Sequence, residues 1–367
     1  MNRTVLLNPG PVTLSARVRA ALAEGPDLCH REDEFVALLA SIRARILAIY
    51  DLDPGQWEAI LLSGSGTAAV EAMVTSFVPR NGHLLVAANG VYGERMALMA
   101  RVHGISCSEV NAGWLEPLDP ALLERRLAET PDVTHLATVH HETTTGRLND
   151  IAGVAEICRR RGVVLLLDAV SSFGAEALAP DHWPLGGLAA TANKCLHGVP
   201  GISFVVAERS RLAAAGNPQR SLYLDLPRYL AAQQAGTSPF THAVQACLAL
   251  GAALEEFFDE GGWRGRHQRY ARRLGQIAER CALGGATPLL PVQETSVVLN
   301  AWRLPPALGY QTLHDRLKAA GFVIYAGQGA LSAEIFRLSP MGDIQPEELS
   351  RLCQVLPGAL AGDGYSG

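Results

Sequence analysis

Lys194 lies in Thr191-Ala192-Asn193-Lys194-Cys195-Leu196-His197-Gly198-Val199-Pro200-Gly201, and it is the only Lys, Arg, Asp or Glu between Asp181 and Glu208. A lysine in an apolar, Gly-rich setting loses hydration. That lowers its ammonium pKa and frees the amine for Schiff-base chemistry. A lysine whose stem snorkels along a buried loop accounts for the same stretch equally well. Upstream, the apolar run Val163-Val164-Leu165-Leu166-Leu167 ends in Asp168, and Ala169-Val170-Ser171-Ser172-Phe173-Gly174 follows. A carboxylate at the C-terminal end of a buried parallel strand faces the ligand crevice of an open α/β sheet. Pyridoxal phosphate needs both groups: a lysine to form the imine, and an Asp to keep its pyridine nitrogen protonated.

The elements that must position these two residues read as alternating strands and helices from residue 58 to 206. Strands are expected at Glu58–Leu62, His83–Ala88, Thr134–His140 and up to Asp168. This pattern predicts an α/β fold, a mainly parallel sheet with helices on both faces. After the first strand, Ser63-Gly64-Ser65-Gly66-Thr67 runs into an apolar helix from Ala68 to Val74. Free N–H groups at a helix start, with hydroxyls from Ser65 and Thr67, make a phosphate cradle. An ordinary Gly-rich turn reads the same, and no Walker lysine follows. Tyr92 ends a strand, where it either flanks a planar ring or packs in a loop. Thr143-Thr144-Thr145-Gly146 offers hydroxyls at another strand end, or simply caps a turn.

After Arg209 the pattern changes. Helices are expected at Ala243–Glu256 and Trp263–Leu283; near the start of the chain, Ser15 is expected to cap a helix running toward Ala23. A smaller βαββα unit follows, with segments at Ser296–Leu299, Leu313–Ala320, Phe322–Tyr325, Ile335–Leu338 and Pro346–Leu356. The expected organisation is a large unit over 15–260 and a small α+β unit over 261–367, with segment 1–14 packing near the latter.

Composition narrows the function classes. The chain has 367 residues, 48% hydrophobic and 18% charged, with a net charge of −5, enough to bury a sizeable core. No basic block points to nucleic acid or a membrane surface. No apolar run reaches a membrane span, and the N-terminal apolar stretch is too short for a signal peptide. Seven scattered cysteines without a CxxC pair read as reduced thiols in the cytoplasm. No metal spacing is present; His140-His141-Glu142 continues into threonines, so HExxH fails.

Taken together, Asn8-Pro9-Gly10-Pro11, Ser63–Thr67, His141–Gly146, Asp168–Gly174 and Ala192-Asn193-Lys194-Cys195 resemble the class V, fold type I pyridoxal-phosphate aminotransferases. Within that class the chain is most similar to the 2-aminoethylphosphonate–pyruvate transaminases, over nearly its whole length. The resemblance implies pyridoxal 5′-phosphate as cofactor and 2-aminoethylphosphonate with pyruvate or alanine as substrates. It also implies a homodimer. It casts Lys194 as the Schiff-base lysine and proton shuttle, and Asp168 as the pyridinium partner. Ser65, Gly66 and Thr67 would hold the phosphate, with Thr237 reaching it from the neighbouring subunit. Tyr92 would lie against the ring and Thr143 near its 3-oxygen, while Arg337 would fork onto the substrate carboxylate. Cys29-His30-Arg31 departs from the catabolic pattern and makes Arg31 a candidate phosphonate contact. Two other readings stay open: another class V activity, such as alanine– or serine–glyoxylate transamination or a lyase, and a non-catalytic cofactor-binding protein.

Overall fold

The computed structural model describes residues 3–306 and 308–361. The outermost ends of the expected units, residues 1–2 and 362–367, lie outside the described residues.

Seven strands form the main sheet: β1 (Trp57–Gly64), β2 (His83–Ala88), β3 (Ser106–Asn111), β4 (Val133–Val139), β5 (Val164–Asp168), β6 (Leu185–Thr191) and β7 (Gly201–Glu208). Their spatial order is β1-β7-β6-β5-β4-β2-β3. Neighbours from β6 to β3 are parallel. Only β7 is reversed, antiparallel to both β6 and β1. The sheet is therefore mainly parallel, as expected.

The strands are continuous apolar runs because both faces are covered. Leu165 and Leu167 enter one core cluster, while Leu166, between them, enters the other. Residues Ala59 and Leu61 of β1 likewise face the first cluster, and Ile60 and Leu62 the second. Their shared direction brings the C-terminal ends of β1, β2, β4, β5 and β6 to one edge of the sheet, where ligands bind in open α/β folds.

A four-stranded antiparallel sheet, ordered Thr287–Pro288, Asn300–Arg303, Ile335–Leu338, Tyr325–Ala326, packs with the helices Gly262–Leu283, Tyr310–Ala319 and Pro346–Leu360. Val5 and Leu7 join this cluster, and Val5–Leu6 pairs in parallel with Phe322–Val323.

Several sequence expectations shift. The strand expected at Ser296–Leu299 forms instead at Asn300–Arg303. Ser296 Oγ and Val297 N–H are committed to the buried Glu176 carboxylate, at 2.5 and 2.9 Å, so this segment docks instead of laddering. The stretch Phe322–Tyr325 is not one strand: Phe322–Val323 pairs with the N-terminal segment, and Tyr325–Ala326 with Ile335–Leu338. Helices also form at Arg209–Ala214 and Leu226–Gln234, and the stretch Arg220–Asp225 between them is irregular. Ser15 caps its helix as expected, accepting from Val18 N–H at 3.1 Å.

Candidate active site

The loops after β1, β2, β4, β5 and β6 supply the site. After β6, the chain turns tightly: His197 N–H donates to Lys194 O at 2.9 Å and Gly198 N–H to Ala192 O at 2.8 Å. This turn presents Lys194 into the crevice, where its Nζ donates to the Pro9 carbonyl. Gly10 packs on the same side chain. A Cβ there would lie 2.6 Å from Lys194 Cδ, and its φ of +106° already favours glycine. Burial pushes the Lys194 ammonium down to about 8, against the pull of nearby Asp168. Lys194 and Lys318 are the only lysines in the chain, and Lys318 is exposed on its helix. That scarcity was a sequence signal for the nucleophile.

Asp168 ends β5, almost fully buried, with Oδ1 accepting from Val170 N–H at 2.9 Å. Burial pushes its carboxyl up to about 6, and Arg95 and Lys194 oppose this. A cation placed beside it would hold it ionised.

After β1, Ser65 is the N-cap of helix α1 (Gly66–Phe77). Its Oγ accepts from Ala68 N–H at 3.4 Å, which leaves its own hydrogen free to donate. A Cβ on Gly66 would fall 2.7 Å from Val170 Cγ1, so the helix start sits directly against the Asp168 turn. The strand β2 stops at Ala88, and Tyr92, expected at its end, lies instead in the first turn of helix α2 (Val91–Val102), lining a crevice together with Gly66, Thr67, Arg95, Asp168 and Val170.

After β4, Thr143 is buried and its carbonyl accepts from Arg337 Nη1 at 2.8 Å. Arg337 Nε donates to Ala326 O, also at 2.8 Å. The guanidinium is thus aimed by two main-chain carbonyls, one from each sheet's surroundings. Among the described residues no group bonds its Nη2, which remains available to a carboxylate.

Two candidate residues lie outside this chain's own crevice, one of them Thr237, expected to act in the neighbouring subunit's site. Thr237 lines a separate one with His30, Arg43, Gln233 and Gly236. Arg31 is exposed, with Nε 3.4 Å from His30 Nε2.

From the sequence, Glu142, Arg95 and His141 have no assigned role, and Thr144 only that of offering a hydroxyl. Glu142 is fully buried: Oε1 accepts from Thr144 N–H and O–H at 3.1 and 2.6 Å, and Oε2 from Tyr92 N–H at 3.3 Å. Thr144 Oγ1 accepts from Val91 N–H at 3.1 Å. Glu142 and Thr144 together cap α2, whose own N-cap Gly90 has no side chain to do so. Burial pushes the Glu142 carboxyl up to about 7. Arg95 stands over the Tyr92 ring at 4.8 Å. His141 is buried with both ring nitrogens unpartnered among the described residues, and burial pushes it down to about 3.

This geometry brings an activated amine, a buried carboxylate, a helix-start anion cradle and an oriented guanidinium to one sheet edge. The family model Aminotransferase class-V matches residues 23–279, and the chain belongs to the class-V aminotransferases. Among curated relatives, a 2-aminoethylphosphonate–pyruvate transaminase of Aeromonas hydrophila is 37% identical over 98% of this chain and 96% of its own. The protein of that name from Klebsiella pneumoniae is 36% identical over 97% of each. Among solved structures, a subgroup IV aspartate aminotransferase from Thermus thermophilus superposes with a TM-score of 0.86 at 27% identity, covering 97% of this chain and 99% of that one. An alanine–glyoxylate aminotransferase from Nostoc gives 0.89 at 25%, covering 98% and 96%.

Proposed function

We propose that this chain is a pyridoxal-phosphate-dependent transaminase that interconverts 2-aminoethylphosphonate plus pyruvate with phosphonoacetaldehyde plus alanine, in phosphonate metabolism. The observation that carries the chemistry is Lys194, its ammonium lowered to about 8, beside buried Asp168. Support for the substrate pair comes from near full-length relatives named for that reaction.

The residues fit the cofactor. Lys194 would hold it covalently and Asp168 would face its ring nitrogen. Gly66 and Thr67 at the α1 start, with the Ser65 hydroxyl, would take its phosphate. Tyr92 would lie against the ring, Thr143 near its 3-oxygen, and Thr237 of a second subunit would complete the phosphate site. When bound, the cofactor supplies an electron sink for the carbon that loses its proton.

The chain's own residues do the rest. Lys194 Nζ, with its lowered affinity for protons, takes and returns the proton at the substrate carbon. Arg337 Nη2 holds the carboxylate of pyruvate or alanine, with the guanidinium plane set by Thr143 and Ala326. Arg31 is the proposed phosphonate contact. We further propose a homodimer, a cytoplasmic location in keeping with seven free cysteines, and the division into units 15–260 and 261–367.

The test is the absorbance spectrum on adding 2-aminoethylphosphonate and then pyruvate. Loss of the band of the lysine-bound cofactor on the first addition, and its return on the second, is expected. A response to alanine or serine with glyoxylate instead would move the chain to another class V activity. Lys194→Ala should abolish turnover.

A further inference from the structure

Arg95 is a cation in an unusual place. It lies one turn after Tyr92 on α2, its guanidinium 4.8 Å above that ring, with Nη1 3.5 Å from Thr67 Oγ1. On the side of the crevice next to Thr67, Tyr92 and Val170, it is the one cation among the described residues, and Asp168 the one carboxylate. It has no ion pair among the described residues. Two neighbouring carboxylates are engaged elsewhere, Glu94 accepting from Trp114 Nε1 at 2.7 Å and Glu142 from Thr144 and Tyr92, while Asp168 attracts Arg95 across the crevice without a salt bridge. By contrast Arg101, on the same helix, pairs with Glu109.

The site beside Thr67 is the beginning of α1, where free N–H groups already make the local potential positive. The guanidinium and the α1 start repel each other, whatever the attraction of Asp168 across the crevice, and an anion placed between the two reverses the sign of both interactions. Stacking on Tyr92 keeps the side chain in the crevice, and a planar guanidinium matches two oxygens of a tetrahedral anion.

We propose that Arg95 is a phosphate-binding residue of this site, contributing the cation that a phosphate monoester needs beside the Gly66–Thr67 cradle. The assignment rests on the cofactor reading above and adds to it a residue that selects the phosphorylated over the unphosphorylated cofactor.

The experiment is titration of the full-length protein and of Arg95→Gln, Arg95→Met and Arg95→Lys with pyridoxal 5′-phosphate and, separately, with pyridoxal. Binding is read by absorbance and folding by circular dichroism. Arg95→Gln is expected to weaken pyridoxal 5′-phosphate at least about tenfold, the scale of a lost charged hydrogen bond, while pyridoxal changes less than about twofold. Arg95→Lys should recover part of the loss. If Arg95→Gln fails to fold, Arg95→Met, which keeps the apolar stem on Tyr92, carries the same comparison. Equal weakening of both ligands, or no change in either, would overturn the proposal. So would an unchanged cofactor affinity with a raised KM for 2-aminoethylphosphonate, which would give Arg95 to the substrate's phosphonate. Wild-type protein that binds neither ligand would instead overturn the cofactor reading itself.

Discussion

Arg337 Nη1 donates to the Thr143 carbonyl at 2.8 Å, across 194 positions of sequence. This bond, with the one from Nε to Ala326 O, fixes the guanidinium plane before any substrate arrives. Arg337→Lys keeps the charge but not the plane. It is expected to raise the KM for pyruvate about 10- to 100-fold, the equivalent of ~1.5–3 kcal/mol for a charged hydrogen bond. Cofactor affinity should stay nearly unchanged. Steady-state kinetics with a cofactor titration checks this; a KM within twofold of wild type would remove Arg337 from carboxylate binding.

Lys194 reacts as the free amine, and burial lowers its ammonium to about 8 from an ordinary 10.5. The reactive fraction therefore grows as pH rises through 8, well before an ordinary lysine deprotonates. The rate of imine formation with pyridoxal 5′-phosphate should follow a single rise with its midpoint near pH 8. Borohydride trapping followed by peptide mapping should place the label on Lys194 and not on Lys318. A midpoint near 10.5, or label on Lys318, would contradict the site.

Gly90 and Glu142 are sterically coupled. A Cβ at Gly90 would fall 2.3 Å from Glu142 Cδ. The Gly90 φ of 173° is ordinary extended backbone, so alanine meets a clash there and no backbone strain. Gly90→Ala is expected to cost ~1–3 kcal/mol through overpacking. The loss should be smaller in a Glu142→Ala background, where the colliding carboxylate is gone. A double-mutant cycle from denaturant unfolding measures this; additive losses would show that the two do not interact.

Gly10 faces the Lys194 side chain at a φ of +106°. Gly10→Ala adds backbone strain of ~1–3 kcal/mol and pushes a methyl group into Lys194 Cδ and Nζ. Lower thermal stability is expected, together with slower imine formation in the same protein. A variant with wild-type imine kinetics would separate the Pro9–Gly10 segment from Lys194.

The reacting pair was legible in the sequence because each member ends or interrupts a local pattern. Asp168 closes an unbroken apolar run, as strands buried on both faces require, and Lys194 is the lone charge of an apolar, Gly-rich stretch. The cradle Ser65–Thr67 was readable for the same reason: a strand, a Gly/Ser loop and a helix start are contiguous. The second strand of the small sheet was misplaced to Ser296–Leu299, because Ser296 and Val297 bind the Glu176 carboxylate, 120 positions away for Ser296. Pro9 lies 185 positions from Lys194 and Arg95 is 28 from Thr67; nothing in the local pattern of either partner names the other. Composition and periodicity therefore specified which strands end in chemistry. The choice of side chains that converge on those ends belongs to the folded chain, since sheet order, helix capping by Glu142 and the packing of Pro9 on Lys194 arise only when distant segments share one edge.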